Sequence, residues 1–234
     1  MDIIQRNFLR LLRCGAFDIR EPMEPMSAWK WNRLYQVSQK HRVTPWIADG
    51  IRKCQGDFFL QLPATLLQQF MDDNTERIEE YEHQELTNPI LNRRLQQIIQ
   101  STDPDDVTLI LLQNIIAIAK TMLSRGVSLR QFTMMGIYLR RTKDPIRYEQ
   151  LTNWLATLGL GSMARLEASL LVKLFNFTPN ELLFAQASSE KGLDHIVDDL
   201  FNQKSPTRYL RYYPREALTN YTAHIIHNIV NVEE

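Results

Sequence analysis

At 234 residues the chain is long enough to bury a sizeable core without disulfides. Its 27 basic and 27 acidic residues cancel, which argues against a general nucleic-acid or anionic-membrane binder while leaving room for a local patch. Hydrophobic residues at 44% and charged residues at 23% match a soluble globular protein, and Cys14 and Cys54, which show no paired spacing, read as reduced thiols of a cytoplasmic protein.

In chain order, the first segment already excludes one class. Arg6, Arg10 and Arg13 recur through "MDIIQRNFLRLLRCGAFD", so no uninterrupted apolar core of a signal peptide exists there. The spacing of Ile3, Ile4, Phe8, Leu11 and Leu12 predicts an amphipathic helix, with Gly15 taking a left-handed C-terminal conformation. Ser27 is placed to cap a helix through Lys40 that carries Trp31, Leu34, Tyr35 and Val37. Thr44-Pro45 reads as a cap and first-turn proline of a short helix to about Lys53. Pro63 opens a helical segment of about forty residues, read either as one helix kinked near Pro89 or as two separate helices, its charged middle from Asp72 to Glu85 solvated.

Only 8 glycines are present and none lies between Gly56 and Gly126, too few for a sheet built on tight hairpins. The segments "SLRQFTMMGIYLRR", "DPIRYEQLTNWLATLGL", "GSMARLEASLLVKLFNF" and "TPNELLFAQA" each carry a cap or first-turn proline and a helical apolar stripe. "LDHIVDDLF" predicts a short helix, and a last helix is expected from Pro214 with Leu218, Tyr221, Ile225 and Ile229 on one face. The class is therefore all-α, an irregular multi-helix bundle of about eight to ten helices. Its division is expected at an N-terminal helical lobe, 1–102, and a C-terminal one, 103–234, packed as one globular unit. No apolar stretch reaches ~18 residues without interruption; the best candidate, Val107 to Leu123, is broken by Gln113, Asn114 and Lys120. No membrane span is expected.

Asp103-Pro104-Asp105 spells an Asp-x-Asp pair. A magnesium-holding pair of this kind sits on a strand, where alternation points both carboxylates to one face, and proline in the middle opposes that. At a helix start the same letters serve capping: Asp103 takes the free amides, Pro104 the first position, and Asp105 and Asp106 the positive dipole end. Helix 104–124, apolar nearly all round, is then expected to be central, wrapped by its neighbours.

Two blocks carry a resemblance. "FLRLLRCGAF…WKWNRLYQVSQKHRVTPWIADGI…LP" resembles the helical front of a broad bacterial nucleotidyltransferase-like family, and "GVSLRQFTMMGIYLRR…YEQLTNWLATLGLGSMARLEASLLVKLFNFTPNEL" resembles its helical back. In that family a mixed α/β catalytic module with a Lys-Gly turn and an Asp-x-Asp pair lies between such blocks. Here only residues 100–107 separate one helical block from the next, so the resemblance transfers no catalytic residue, metal or cofactor. In "LRQFTMM", Arg130 matches the family's Leu-Arg segment, while the acidic residue common a few positions later is replaced by Met134.

"RYLRYYPR" interleaves arginine and tyrosine in a way suited to phosphate contact and base stacking, and Arg208, Arg211, Tyr212 and Arg215 are the candidate anion-binding residues. The competing reading, tyrosines packing while arginines snorkel or pair, is favoured at neutral net charge. His224 and His227 are spaced for one helix face, but no His-Glu-x-x-His motif completes a metal site. Ser162 follows Gly159 and Gly161 without a phosphate-loop ending, and helix capping accounts for it. Trp29, Trp31, Trp46 and Trp154 are expected as core or near-core anchors. The expected function is a non-catalytic interaction or regulatory scaffold whose partner is another protein or a second copy. The alternatives are a helical subunit of a split nucleotidyltransferase and a nucleic-acid-binding regulator.

Overall fold

The computed structural model describes residues 1–73, 85–185 and 193–202, and the chain divides into two compact units, Met1–Glu80 and Tyr81–Glu234. All regular structure among the described residues is helical: ten α-helices, one 3-10 turn and no strand. None of these helices is long and apolar enough to cross a membrane.

In the first unit, α1 (Ile3–Phe17) begins on a reciprocal cap, with Asp2 Oδ1 accepting from the Gln5 amide and Gln5 Oε1 from the Asp2 amide, both at 2.9 Å. It ends at Asp18, whose φ of 60° places it in the left-handed region. Gly15 is therefore not the terminator that the sequence suggested. It lies inside the helix, against α3 (Thr44–Lys53), and α1 and α3 are the most extensively packed pair in this unit. A Cβ on Gly15 would lie 1.8 Å from the Trp46 carbonyl oxygen, and one on Gly50 would lie 2.1 Å from that of Leu11. The two glycines let one backbone rest on the other. Around this pair lie α2 (Ala28–Lys40) and α4 (Ala64–Asp72). Ser27 holds the cap position of α2 without a side-chain cap bond, and Thr44 is the first residue of α3 rather than its cap. Trp31 and Trp46 are buried, but Trp29 is 69% exposed: two helix positions from Trp31, it points some 200° away from the core stripe.

The arginines that break the apolar stripe of α1 have partners from segment 18–27. Arg13 makes a bidentate pair with Glu21, and Arg6 makes one with Glu24, at 2.6–2.9 Å. Arg10 adds a 2.7 Å bond to Glu24. Fully buried Asn7 holds the Glu24 backbone from both sides, donating to its carbonyl at 2.7 Å and accepting from its amide at 3.0 Å. The Arg6 hydrogen bonds hold the Glu24 carboxyl down at about 2; burial opposes this, and Arg10 adds to the pull. The basic stripe of α1 is thus a fastener for the segment that delivers Met23 and Met26 to the core.

In the second unit, α5 (Pro89–Gln100) starts at Asn88, whose side chain accepts from the Ile90 and Leu91 amides. Residues 85–88 are not helical, so Pro89 opens a separate helix and does not kink a forty-residue one. The central helix is α6 (Val107–Arg125), wrapped by α7 (Leu129–Arg141), α8 (Tyr148–Thr157) and α9 (Gly161–Phe175), while α5 packs on α8. Leu109, Leu111, Leu112, Ile115, Ile116, Ile118, Met122 and Leu123 are all buried, as its all-round apolarity requires. Helix α10 (Leu193–Asn202) packs on α9. The described part of "TPNELLFAQA", residues 178–185, does not form an α-helix. It makes a single 3-10 turn, Pro179–Glu181, after which Leu182 and Phe184 are buried and Leu183 is 60% exposed, an alternation that no helical stripe supplies.

The Asp-x-Asp segment is a turn ahead of α6, and the cap falls to Asp106. Its Oδ1 accepts from the Thr108 and Leu109 amides at 2.8 and 3.1 Å, while Asp103 accepts from the Asp105 amide and both Asp103 and Asp105 stay exposed. Burial raises the Asp106 carboxyl's proton affinity, but the two amides and the paired Arg147 guanidinium outweigh it, leaving the group below the usual carboxylate range. Asp106→Ala is expected to cost about 1–2 kcal/mol in denaturant titration. Asp106→Asn should recover most of that loss, and the wild-type advantage over Ala should shrink as pH falls through the carboxyl's depressed range.

Candidate functional site

The residues that the sequence singled out for anion binding, Arg208, Arg211, Tyr212 and Arg215, lie outside the described residues, as do His224, His227 and the helix expected from Pro214. The described part of the chain has its own unusual feature on the first unit. Between α3 and α4 the segment "QGDFFLQLP" makes a turn in which the Asp57 amide donates to the Cys54 carbonyl at 2.9 Å and the Leu60 amide to that of Asp57 at 3.0 Å. The Asp57 carboxylate braces it twice, Oδ1 accepting from the Phe59 amide at 2.8 Å and Oδ2 from the Met23 amide at 2.9 Å. Phe58 and Phe59 stand on this braced turn 78% and 42% exposed. Their rings meet edge-to-face with centroids 5.2 Å apart. Two adjacent aromatics displayed to solvent on an anchored loop lose the favourable transfer that burial would give each. Sequence reasoning misses them, although a Phe-Phe pair between Gly56 and Pro63, where neither a strand nor a helix is expected, is a visible signal.

On the second unit an open groove of about 660 Å³ is lined by Arg147, Tyr148, Glu149, Gln150, Asn153 and Trp154. Arg147 is committed there: its guanidinium pairs with Asp106 and its amide donates to Thr108 Oγ1 at 3.1 Å. Arg140 is likewise engaged, donating through Nε to Glu181 at 2.8 Å and stacking 3.9 Å over the Phe177 ring. Arg130, carried by the resemblance, is buried in α7, and Met134 beside it is half-buried. Ser162, assigned to capping, instead accepts from the Arg165 guanidinium at 2.8 Å in the first turn of α9. No group of three or more His, Cys, Asp or Glu is placed to hold a metal ion among the described residues.

Two ionisable features remain. Glu167 on α9 is fully buried, and neither carboxylate oxygen accepts a hydrogen bond among the described residues; burial pushes its pKa well above the carboxylate range. Cys14 and Cys54, which the sequence treats as unrelated, meet with Sγ atoms 3.2 Å apart. Comparison with family models, with curated proteins and with solved structures returned no match.

Proposed function

We propose that this chain is a non-catalytic helical protein that acts as an interaction or regulatory scaffold. In this reading it keeps the helical flanks of a nucleotidyltransferase-like architecture without the catalytic module. The observation that carries the proposal is the exposed Phe58–Phe59 pair on its braced turn, because clustered aromatic anchors are the residues through which protein interfaces gain most of their energy. The closed packing of α6 by α7, α8 and α9 supports it further. A helix apolar nearly all round needs cover, and α7, α8 and α9 give it within the chain. The partner is a second copy or another protein, and the aromatic turn is the contact.

The test pairs two measurements on the full chain. Sedimentation velocity across a concentration series is expected to show self-association that Phe58→Ser/Phe59→Ser abolishes with the helical circular dichroism unchanged; a wild type that stays monomeric rules out a second copy as the partner. Thermal melting with nucleoside triphosphates and magnesium is expected to leave Tm unmoved. A clear nucleotide-dependent rise in Tm overturns the scaffold reading.

A further inference from the structure

Cys14 and Cys54 are 40 positions apart in the chain, yet their Sγ atoms lie 3.2 Å from each other, inside the sum of two sulfur van der Waals radii. Their placement follows from the α1–α3 contact. Cys14 precedes Gly15, the residue on which the Trp46 carbonyl rests, and Cys54 lies one turn beyond Gly50, which rests on the Leu11 carbonyl. Beyond the thiols, Lys53 Nζ reaches from the end of α3 to the carbonyls of Cys14 and Gly15, both at 3.3 Å, and pairs with the Asp18 carboxylate. Backbone contact on one side and this lysine clamp on the other hold the two helix ends together, so the sulfurs stay in reach of one another. Cys14 is fully buried and Cys54 is half-buried, so Cys54 is the one of the two that an incoming reagent can reach.

We propose that Cys14 and Cys54 form a reversible intramolecular disulfide site, closed by thiol–disulfide exchange with a small disulfide of the glutathione type. The Cys54 thiolate attacks one sulfur of the oxidised reagent, breaking its S–S bond and releasing one reduced thiol. Cys14, as thiolate, then attacks Cys54 Sγ and displaces the second. Two electrons pass to the reagent, and the two thiol protons end on the two released thiols. Closure needs the sulfurs to move from 3.2 Å to about 2.05 Å. The pair rests as a dithiol at neutral pH. Burial first, and Cys14 second, push the Cys54 thiol up to about 12, with Asp57 adding to the effect and Arg20 opposing it. Exchange is therefore slow near neutrality and speeds up as the thiolate fraction rises.

The experiment incubates the full chain with glutathione disulfide at pH 7.5 and pH 9, quenches with acid, alkylates with iodoacetamide under denaturing conditions and maps the peptides by mass spectrometry. The expected product is one cross-linked Cys14–Cys54 peptide, unalkylated at both positions and reopened by dithiothreitol. It should form about 30-fold faster at the higher pH, a decade per unit while the pH stays below the thiol's pKa. Cys14→Ser is expected to stop at a glutathione adduct on Cys54, and Cys54→Ser to leave Cys14 unmodified; the wild-type result stands if either variant fails to fold. Both cysteines alkylated at the highest ratio of reagent, a lasting glutathione adduct on wild-type Cys54, or a disulfide only between copies each overturns the proposal.

Discussion

Gly15→Ala is expected to destabilise the first unit by ~3 kcal/mol or more, at the upper end of what overpacking costs, and Gly50→Ala to do the same. Local preference alone predicts the opposite sign, because Ala in a helix interior is favoured over Gly by about 1 kcal/mol. The contact decides. A methyl at position 15 would lie 1.8 Å from the Trp46 oxygen and 2.8 Å from its carbonyl carbon, and one at position 50 would lie 2.1 Å from the Leu11 oxygen. These are backbone atoms of the facing helix, so no rotamer change relieves the overlap. The helices must separate, opening the layer that buries Leu11, Leu12, Trp46 and Ile47. For a unit of this size the loss should lower Tm by more than about 10 °C. Gly56→Ala is the matched control, since a Cβ there meets nothing within 4 Å, and it should fall within about 1 kcal/mol of wild type. Tolerance of Ala at both 15 and 50 would falsify the backbone-on-backbone packing of α1 and α3.

What the letters could tell divides along the range of the physics. Helix type and most starts were legible because they depend on neighbours in sequence: Ser27 ahead of α2, the stripe Trp31, Leu34, Val37, and the all-round apolarity of α6. At Pro89 a kink and a fresh start fitted the same letters, and the Asn88 cap is what separates them. The cap of α6 was legible in kind but not in position. Asp103, Asp105 and Asp106 are all competent caps, and the choice follows from where Tyr138 and Arg147 engage the first turn, Tyr138 donating to the Val107 carbonyl at 2.7 Å and the Arg147 amide to Thr108. Trp29 illustrates a different failure, in which residue type was weighed without helix phase. Beyond reach of local reasoning were the pairings across long loops: Arg6 and Arg13 with Glu24 and Glu21, Arg140 with Glu181, and above all Cys14 with Cys54. Each depends on which helix lies beside which. Gly15 held a readable hint of that neighbour, because a glycine inside an apolar helical stripe marks a close approach as readily as an end.

Replacing Glu167 by Met is expected to stabilise the second unit at neutral pH by about 2 kcal/mol, the order of what burying a polar group without a hydrogen bond costs, and to remove a pH dependence that wild type carries. The carboxyl is fully buried on α9, which packs against α6, α7, α8 and α10, and burial raises its pKa well above the ordinary carboxylate value of 4.5. In the unfolded chain the group ionises near that ordinary value, whereas burial in the folded protein favours the protonated form. Below the unfolded pKa both states hold the proton and the group contributes no penalty. As pH rises above it, the unfolded state gains stability by releasing the proton, and folding weakens by up to about 1.4 kcal/mol per pH unit until the raised folded pKa is reached. Glu24, Asp106, Glu181 and Asp194 act the other way, their lowered pKa values strengthening the fold as pH rises. The raw stability curve therefore mixes opposing signs, and the difference between wild type and Glu167→Met isolates this one carboxyl. Urea unfolding of both proteins at pH 5 and pH 7.5 should show a gap in favour of Met that widens with pH. A gap that stays constant, or a Met variant that is weaker at both values, means that the carboxyl has a partner that stabilises its charged form, and the account of Glu167 as a buried protonated acid falls.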